Sequence, residues 1–138
     1  MAKRRKQRGP KPADPCLCGS GLTHGDCCGP IVAGTAPAPT AEALMRSRYT
    51  AYSVGDVVHL NRSWHPDTRP ADLTLVSGRR WVGLDIIATE AGRALDATGV
   101  VEFAAHFEGT DGSGTQHERS RFVRHHGAWV YVDGDQAD

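Results

Sequence analysis

Every cysteine of the chain falls within one short stretch: Cys16, Cys18, Cys27 and Cys28, spaced C-x-C, eight residues, C-C. Four sulfurs so close in sequence constrain the fold more than any other feature, because a tetrahedral metal site draws its ligands to about 2.3 Å from one point and forces the chain to double back. Gly19, Gly21 and Gly25 permit that return, and Gly29-Pro30 closes the unit. The pattern reads as a zinc knuckle over 14–30 with Cys16, Cys18, Cys27 and Cys28 as ligands. Its pair gaps depart from the two to four residues usual in zinc fingers. Two disulfides or free thiols are the alternatives, and His24 is a substitute ligand for one thiolate.

The choice between zinc and disulfides turns on compartment. The basic N-terminal stretch runs straight into GPKPADPC with no apolar segment behind it, so no export signal is read and a cytoplasmic location is expected, where thiols stay reduced. No apolar run approaches the roughly 20 residues of a spanning helix, so no membrane partner is expected.

The formal net charge is zero over 138 residues, a length suited to one core. That balance hides an asymmetry. Lys3, Arg4, Arg5, Lys6, Arg8 and Lys11 stand in the first twelve residues without an acid, which leaves the remainder acidic. Residues 1–13 read as a disordered basic arm, able to make weak, salt-sensitive contact with RNA. Residues 31–39 read as a linker, and 40–134 hold all the Trp, Tyr and Phe from which a core is built.

Thr40 is a predicted N-cap for a helix to about Val54, stopped by Gly55. Ala41, Leu44, Met45, Arg48 and Tyr52 share one stripe of it, with Arg46, Ser47, Thr50 and Ser53 opposite. Asp56 caps a second short helix bearing Val57, Leu60 and Trp64, ended by His65-Pro66. Beyond Arg80 the period changes: 81–89, 98–108, 117–125 and 128–133 read as strands, with a turn at 109–114, a hairpin at His126-Gly127 and a frayed polar end. Helices followed by a meander predict an α+β domain, a curved antiparallel sheet wrapped over helices.

PCLCGSGLTHGDCCG resembles the SEC-C zinc motif, best known from the tail of the SecA translocation ATPase; the resemblance carries zinc ligation to Cys16, Cys18, Cys27 and Cys28 one by one. TAEALMRSRYTAY, SWHP, WVGLDI, GVVEFAAHF and ERSRFV further resemble the YchJ-like family of uncharacterised bacterial proteins. That resemblance implies a nuclear-transport-factor-2-like cone around a cavity.

Arg48, a cation on an apolar stripe, needs a partner if buried. Glu102 and His106 share a strand face opposite Phe103 and Phe107, and are expected to point toward Arg48 and Tyr52, with Trp64 and His65 at the cavity mouth. His117, His125 and His126 read as solvated, and ERSRFVR as an exposed strand face. No nucleophile elbow, phosphate-cradling loop or His-Glu-x-x-His pattern occurs, so the reading leans away from an enzyme. Two functions are expected. The first is an adaptor whose knuckle and arm meet an acidic protein surface; the SecA resemblance implies a chaperone, the ribosome or a translocation component. The alternative is a small-molecule binder or enzyme using the cavity.

Overall fold

The computed structural model describes residues 9–137. Most of the basic arm therefore lies outside the described residues. Its end, however, is tied down: Lys11 to Asp14 form a hydrogen-bonded turn, and Gly25 N–H donates to the Pro12 carbonyl at 2.9 Å. Gly9 lies beside Val54, whose Cγ1 would stand 3.6 Å from a methyl at position 9.

The knuckle contains one 3-10 turn, His24–Asp26, and then α1, Cys28–Ala33. Residues 31–33, assigned by sequence to the linker, complete α1, and Gly34 ends it in the left-handed region. Helix α2, Ala41–Val54, begins where Ala43 N–H donates to Thr40 Oγ1 at 3.0 Å and ends at Gly55 with φ 80°. Helix α3, Val57–Arg62, is capped by Asp56, which accepts from His59 N–H. It stops at Ser63, before the His65-Pro66 step, because 63–65 leave to pair with the sheet.

Four strands, β1 Arg79–Ala91, β2 Thr98–Gly109, β3 Gly112–His125 and β4 Ala128–Gln136, form an antiparallel meander in the order β1-β2-β3-β4. This is the predicted architecture with longer strands. β4 continues through the expected frayed end, where Arg121 reaches Asp133 and Asp135 at 2.6 and 2.9 Å. Register shifts at Trp81/Gly83, Ile86/Ala88 and Arg121/Phe122 add local bends, and the concave face closes over α2.

Val101, Phe103, Ala105, Phe122 and Trp129 from the sheet meet Leu44, Met45 and Tyr49 of α2 in one core. Cys16, Cys18 and Cys28 belong to the same cluster. The knuckle is thus docked on α2, and this changes the reading of that helix. Ser47 and Thr50, expected on its solvent side, are fully buried, because α3 covers the first and the knuckle the second. Ser47 Oγ meets His59 Nε2 at 2.9 Å and donates to the Leu44 carbonyl at 2.7 Å, so both hydroxyl and imidazole are satisfied internally.

Candidate metal centre and cavity

The ligand atoms of Cys16, Cys18, Cys27 and Cys28 all lie within 4.8 Å of one another. The local backbone explains how. Gly19 and Gly21 take φ of 78° and 91°, a region open to glycine at little cost. Pro15 and Thr23 form an isolated antiparallel bridge that holds the two sulfur-bearing arms together. Cys18 and Cys27 sulfurs are 3.6 Å apart, Cys27 and Cys28 sulfurs 3.9 Å. Four thiolates at the corners of a tetrahedron of about 2.3 Å radius stand roughly 3.8 Å apart, so these two separations match a tetrahedral site and no pair of the four is more than about 1 Å wider.

The electrostatics favour thiolate. The Cys18 pKa falls far below the ordinary thiol range, first through the hydrogen bond from Cys28 and then those from Ser20 and Arg46. The proton is held on Cys28, whose pKa rises through that same hydrogen bond and through burial. Arg46 reaches across from α2, its Nη1 donating to the Cys18 carbonyl at 2.9 Å with the Cys18 sulfur 3.6 Å away. His24 stands outside the four-sulfur cluster; its ring packs over Gly29, where an added Cβ would meet the His24 carbonyl at 2.8 Å.

A second feature opens on the other side of α2. A cavity of about 570 Å³ lies between α2, the 73–76 loop and the concave sheet face. Arg48, Tyr52 and Trp64 line it, as does Arg79. Arg48 is only 3% exposed. Its Nη1 donates to Ser63 Oγ at 2.7 Å and to the Leu60 carbonyl at 3.1 Å. The guanidinium lies 4.9 Å from the Trp64 ring and 4.7 Å from the Tyr131 ring, contacts that offset part of its desolvation. Burial pulls its pKa down, while Tyr52, Tyr131 and Glu118 favour the charged form. Trp64 is brought there by backbone pairing with β4: His65 N–H donates to the Tyr131 carbonyl and Tyr131 N–H to that of Ser63, both at 2.8 Å.

Three expected cavity residues lie elsewhere. Glu102 and His106 occupy the outer face of β2, because the alternation that buries Val101, Phe103 and Ala105 sends their even-numbered neighbours outward. There His117 Nε2 meets Glu102 at 2.6 Å, and His106 bridges Asp85 at 2.8 Å and Thr115 at 2.9 Å. His117 is therefore partly buried and paired, not merely solvated. His65 is outside the cavity lining; its ring lies 4.8 Å from that of His125, which in turn lies 4.1 Å from His126.

The cavity's carboxylate is Glu118, which sequence reasoning missed by reading ERSRFVR as exposed. It accepts from Ser120 Oγ at 2.9 Å and from the Tyr131 hydroxyl at 3.3 Å. The signal was present: Glu118, Ser120 and Phe122 share one parity, and Phe122 had to face a core.

Residues 40–134 match the YchJ middle NTF2-like domain, and residues 13–30 match the SEC-C motif. A UPF0225 protein of Streptomyces coelicolor is 54% identical over 92% of this chain and 99% of its own length. The chain belongs to the UPF0225 family. Another UPF0225 protein, from Deinococcus radiodurans, is 47% identical over 88% of this chain and 89% of its own. Among solved structures, a SEC-C motif-containing protein from Rhodopseudomonas palustris superposes with a TM-score of 0.79 at 33% identity, covering 89% of this chain and 98% of that one. A crystal structure of a SEC-C motif-containing protein from Psychrobacter arcticus gives 0.69 at 26% identity, covering 96% and 84%. The fold and the family expected from the sequence are thus both met: a SEC-C motif joined to an NTF2-like domain, with four cysteines that could hold a metal in this UPF0225 member. No helix among its described residues is long and apolar enough to cross a membrane.

Proposed function

We propose that this UPF0225 protein binds a small molecule in the cavity of its NTF2-like domain, and that its SEC-C cysteines hold a structural zinc ion that fixes the N-terminal segment against the same helix. One observation carries the binding reading: an open cavity of about 570 Å³ lined by a buried arginine. Volumes of 300–1,000 Å³ with apolar walls and a few polar groups are the usual form of a ligand pocket. Zinc is supported by the all-sulfur donor set and its spacing. Four protein ligands leave no open coordination position, which is the pattern of a structural site. A reducing cytoplasm suits such a cluster.

The test of binding is a fragment screen by two-dimensional NMR on the zinc-loaded full-length chain. Fragments that occupy the cavity shift the Trp64 and Trp81 indole signals and leave Trp129, outside the lining, in place. If no fragment moves either signal, the binding reading is wrong. Elemental analysis of untagged protein prepared without chelator is expected to give about one zinc per chain.

The adaptor reading keeps one supporting observation. Leu17 and Leu22, on the knuckle surface, are 42% and 53% exposed, and the sequence that precedes the knuckle is rich in Lys and Arg. Such a surface suits an acidic protein partner of the kind expected from the SecA resemblance (a chaperone, the ribosome or a translocation component), or a salt-sensitive RNA contact.

A further inference from the structure

The geometry points to a ligand class for the cavity: a monocarboxylate with an apolar body, its carboxylate held by Arg48. This inference rests on the binding reading above and narrows it.

The charge lining the cavity is lopsided. Arg48 and Arg79 contribute two cations and Glu118 one carboxylate. Among the described residues neither arginine lies within 4.0 Å of a carboxylate oxygen, whereas Arg80, Arg93, Arg119 and Arg121 all do. Glu118 accepts from Ser120 and Tyr131 and makes no ion pair with Arg48, so its charge acts on the guanidinium only from a distance. A buried guanidinium whose direct partners among the described residues are a carbonyl, a hydroxyl, two aromatic faces and the neighbouring Tyr52 lacks a contacting counter-ion, and burying a cation that way is costly. An anionic ligand supplies what the fold does not.

The shape of the donors selects among anions. Both hydrogen bonds of Arg48 to Leu60 and Ser63 leave through Nη1, so Nε and Nη2 form the remaining edge. Two parallel N–H groups on one guanidinium edge match the two oxygens of a carboxylate. Trp64 Nε1 is buried without a hydrogen-bond partner among the described residues, an orphaned donor in the same wall. The carboxylate of Glu118 disfavours a second negative charge on the ligand, which counts against phosphate monoesters and dicarboxylates. Beyond this polar end the lining turns apolar, with Met45, Tyr49, Leu73, Leu75, Trp81 and Phe103. That stretch suits a phenyl-sized or medium-chain aliphatic body.

The experiment pairs acids with their uncharged analogues on the full-length, zinc-loaded chain. Phenylacetate, 3-phenylpropanoate, hexanoate and octanoate, each beside its primary amide, and inorganic phosphate alone, are titrated by calorimetry and thermal shift. At least one acid is expected to bind ten-fold or more tightly than its amide, and phosphate not at all. Arg48→Lys keeps the charge but loses the two-pronged edge, and is expected to weaken the acid several-fold. Arg48→Met is expected to abolish the preference for acid over amide. Trp64→Phe keeps the ring without the N–H, which preserves the test if Arg48→Met fails to fold; it too is expected to weaken the acid. His106→Ala, on the outer face, serves as the unchanged control. Amides binding as well as acids would overturn the carboxylate assignment and leave the binding reading intact; no binding by either set would remove both. Acid affinity unchanged in both Arg48→Lys and Trp64→Phe would also overturn it.

Discussion

Arg46 and Arg48 stand two positions apart on α2 and reach opposite sides of it: Arg46 donates to the Cys18 carbonyl at 2.9 Å, Arg48 to the Ser63 hydroxyl at 2.7 Å beside the cavity. Two residues along a helix are separated by about 200° of rotation, so one short stretch can face two sites at once. The helix is therefore a shared wall. Tyr49 and Met45 belong both to the buried cluster that holds the cysteines and to the cavity lining, so the two sites share packing.

Chelation should disturb more than the knuckle. Cys16, Cys18 and Cys28 share a buried cluster with Tyr49, Phe103 and Trp129, so removing the ion is expected to alter the near-ultraviolet circular dichroism and lower the melting temperature of the whole domain. A near-ultraviolet spectrum unchanged after complete zinc removal would show that the docking seen here does not depend on the metal.

Arg46→Ala should weaken metal binding without touching a ligand. Groups that orient metal ligands through hydrogen bonds typically contribute 10–100-fold in affinity, and competition with a chromophoric chelator reads that loss. Glu42 touches this network only through Arg46 Nε, at 2.9 Å, so Glu42→Gln is expected to have a much smaller effect.

Acid should destabilise the fold through His59. Desolvation, followed by the nearby Arg62 and Arg48 charges, lowers its pKa from 6.5 to about 4. The folded state therefore refuses a proton that the unfolded chain accepts below about pH 6.5. Stability from this group is present above that pH and is lost progressively as pH falls toward 4. Urea unfolding at pH 7 and pH 4.5 is expected to cost the natural chain roughly 2–3 kcal/mol more than His59→Gln. Equal losses in the two proteins would remove His59 as the cause.

Local signals carried the architecture well. Thr40 and Asp56 as caps, Gly55 as a stop, and the alternation of Val101, Phe103, Ala105 and Phe107 place two helices and a central strand with little ambiguity. The cysteine spacing, with glycines that tolerate positive φ, carried the cluster. What a single strand cannot show is which of its faces borders a cavity. Glu102 and His106 form the polar face of β2, the face from which sequence alone predicts a polar pocket. The sheet instead lines its cavity with the apolar face, broken by Glu118 from the next strand. Nor could helical periodicity show that α2 is covered on both sides: Ser47 and Thr50 are small and polar, and their burial depends on α3 and the knuckle, elements remote from any repeat in α2 itself.

Gly9 resting beside Val54 has an effect that outlasts any detail of the path before it. Val54 belongs to the cavity lining, so five of the six N-terminal cations are attached by no more than eight residues of chain to the edge of the opening, a reach of about 28 Å at full extension. A covalent leash of that length keeps their charge in the neighbourhood of the entrance at an effective concentration set by the tether rather than by the solution. The rate at which anions reach the cavity of this otherwise acidic body is therefore expected to fall as salt rises.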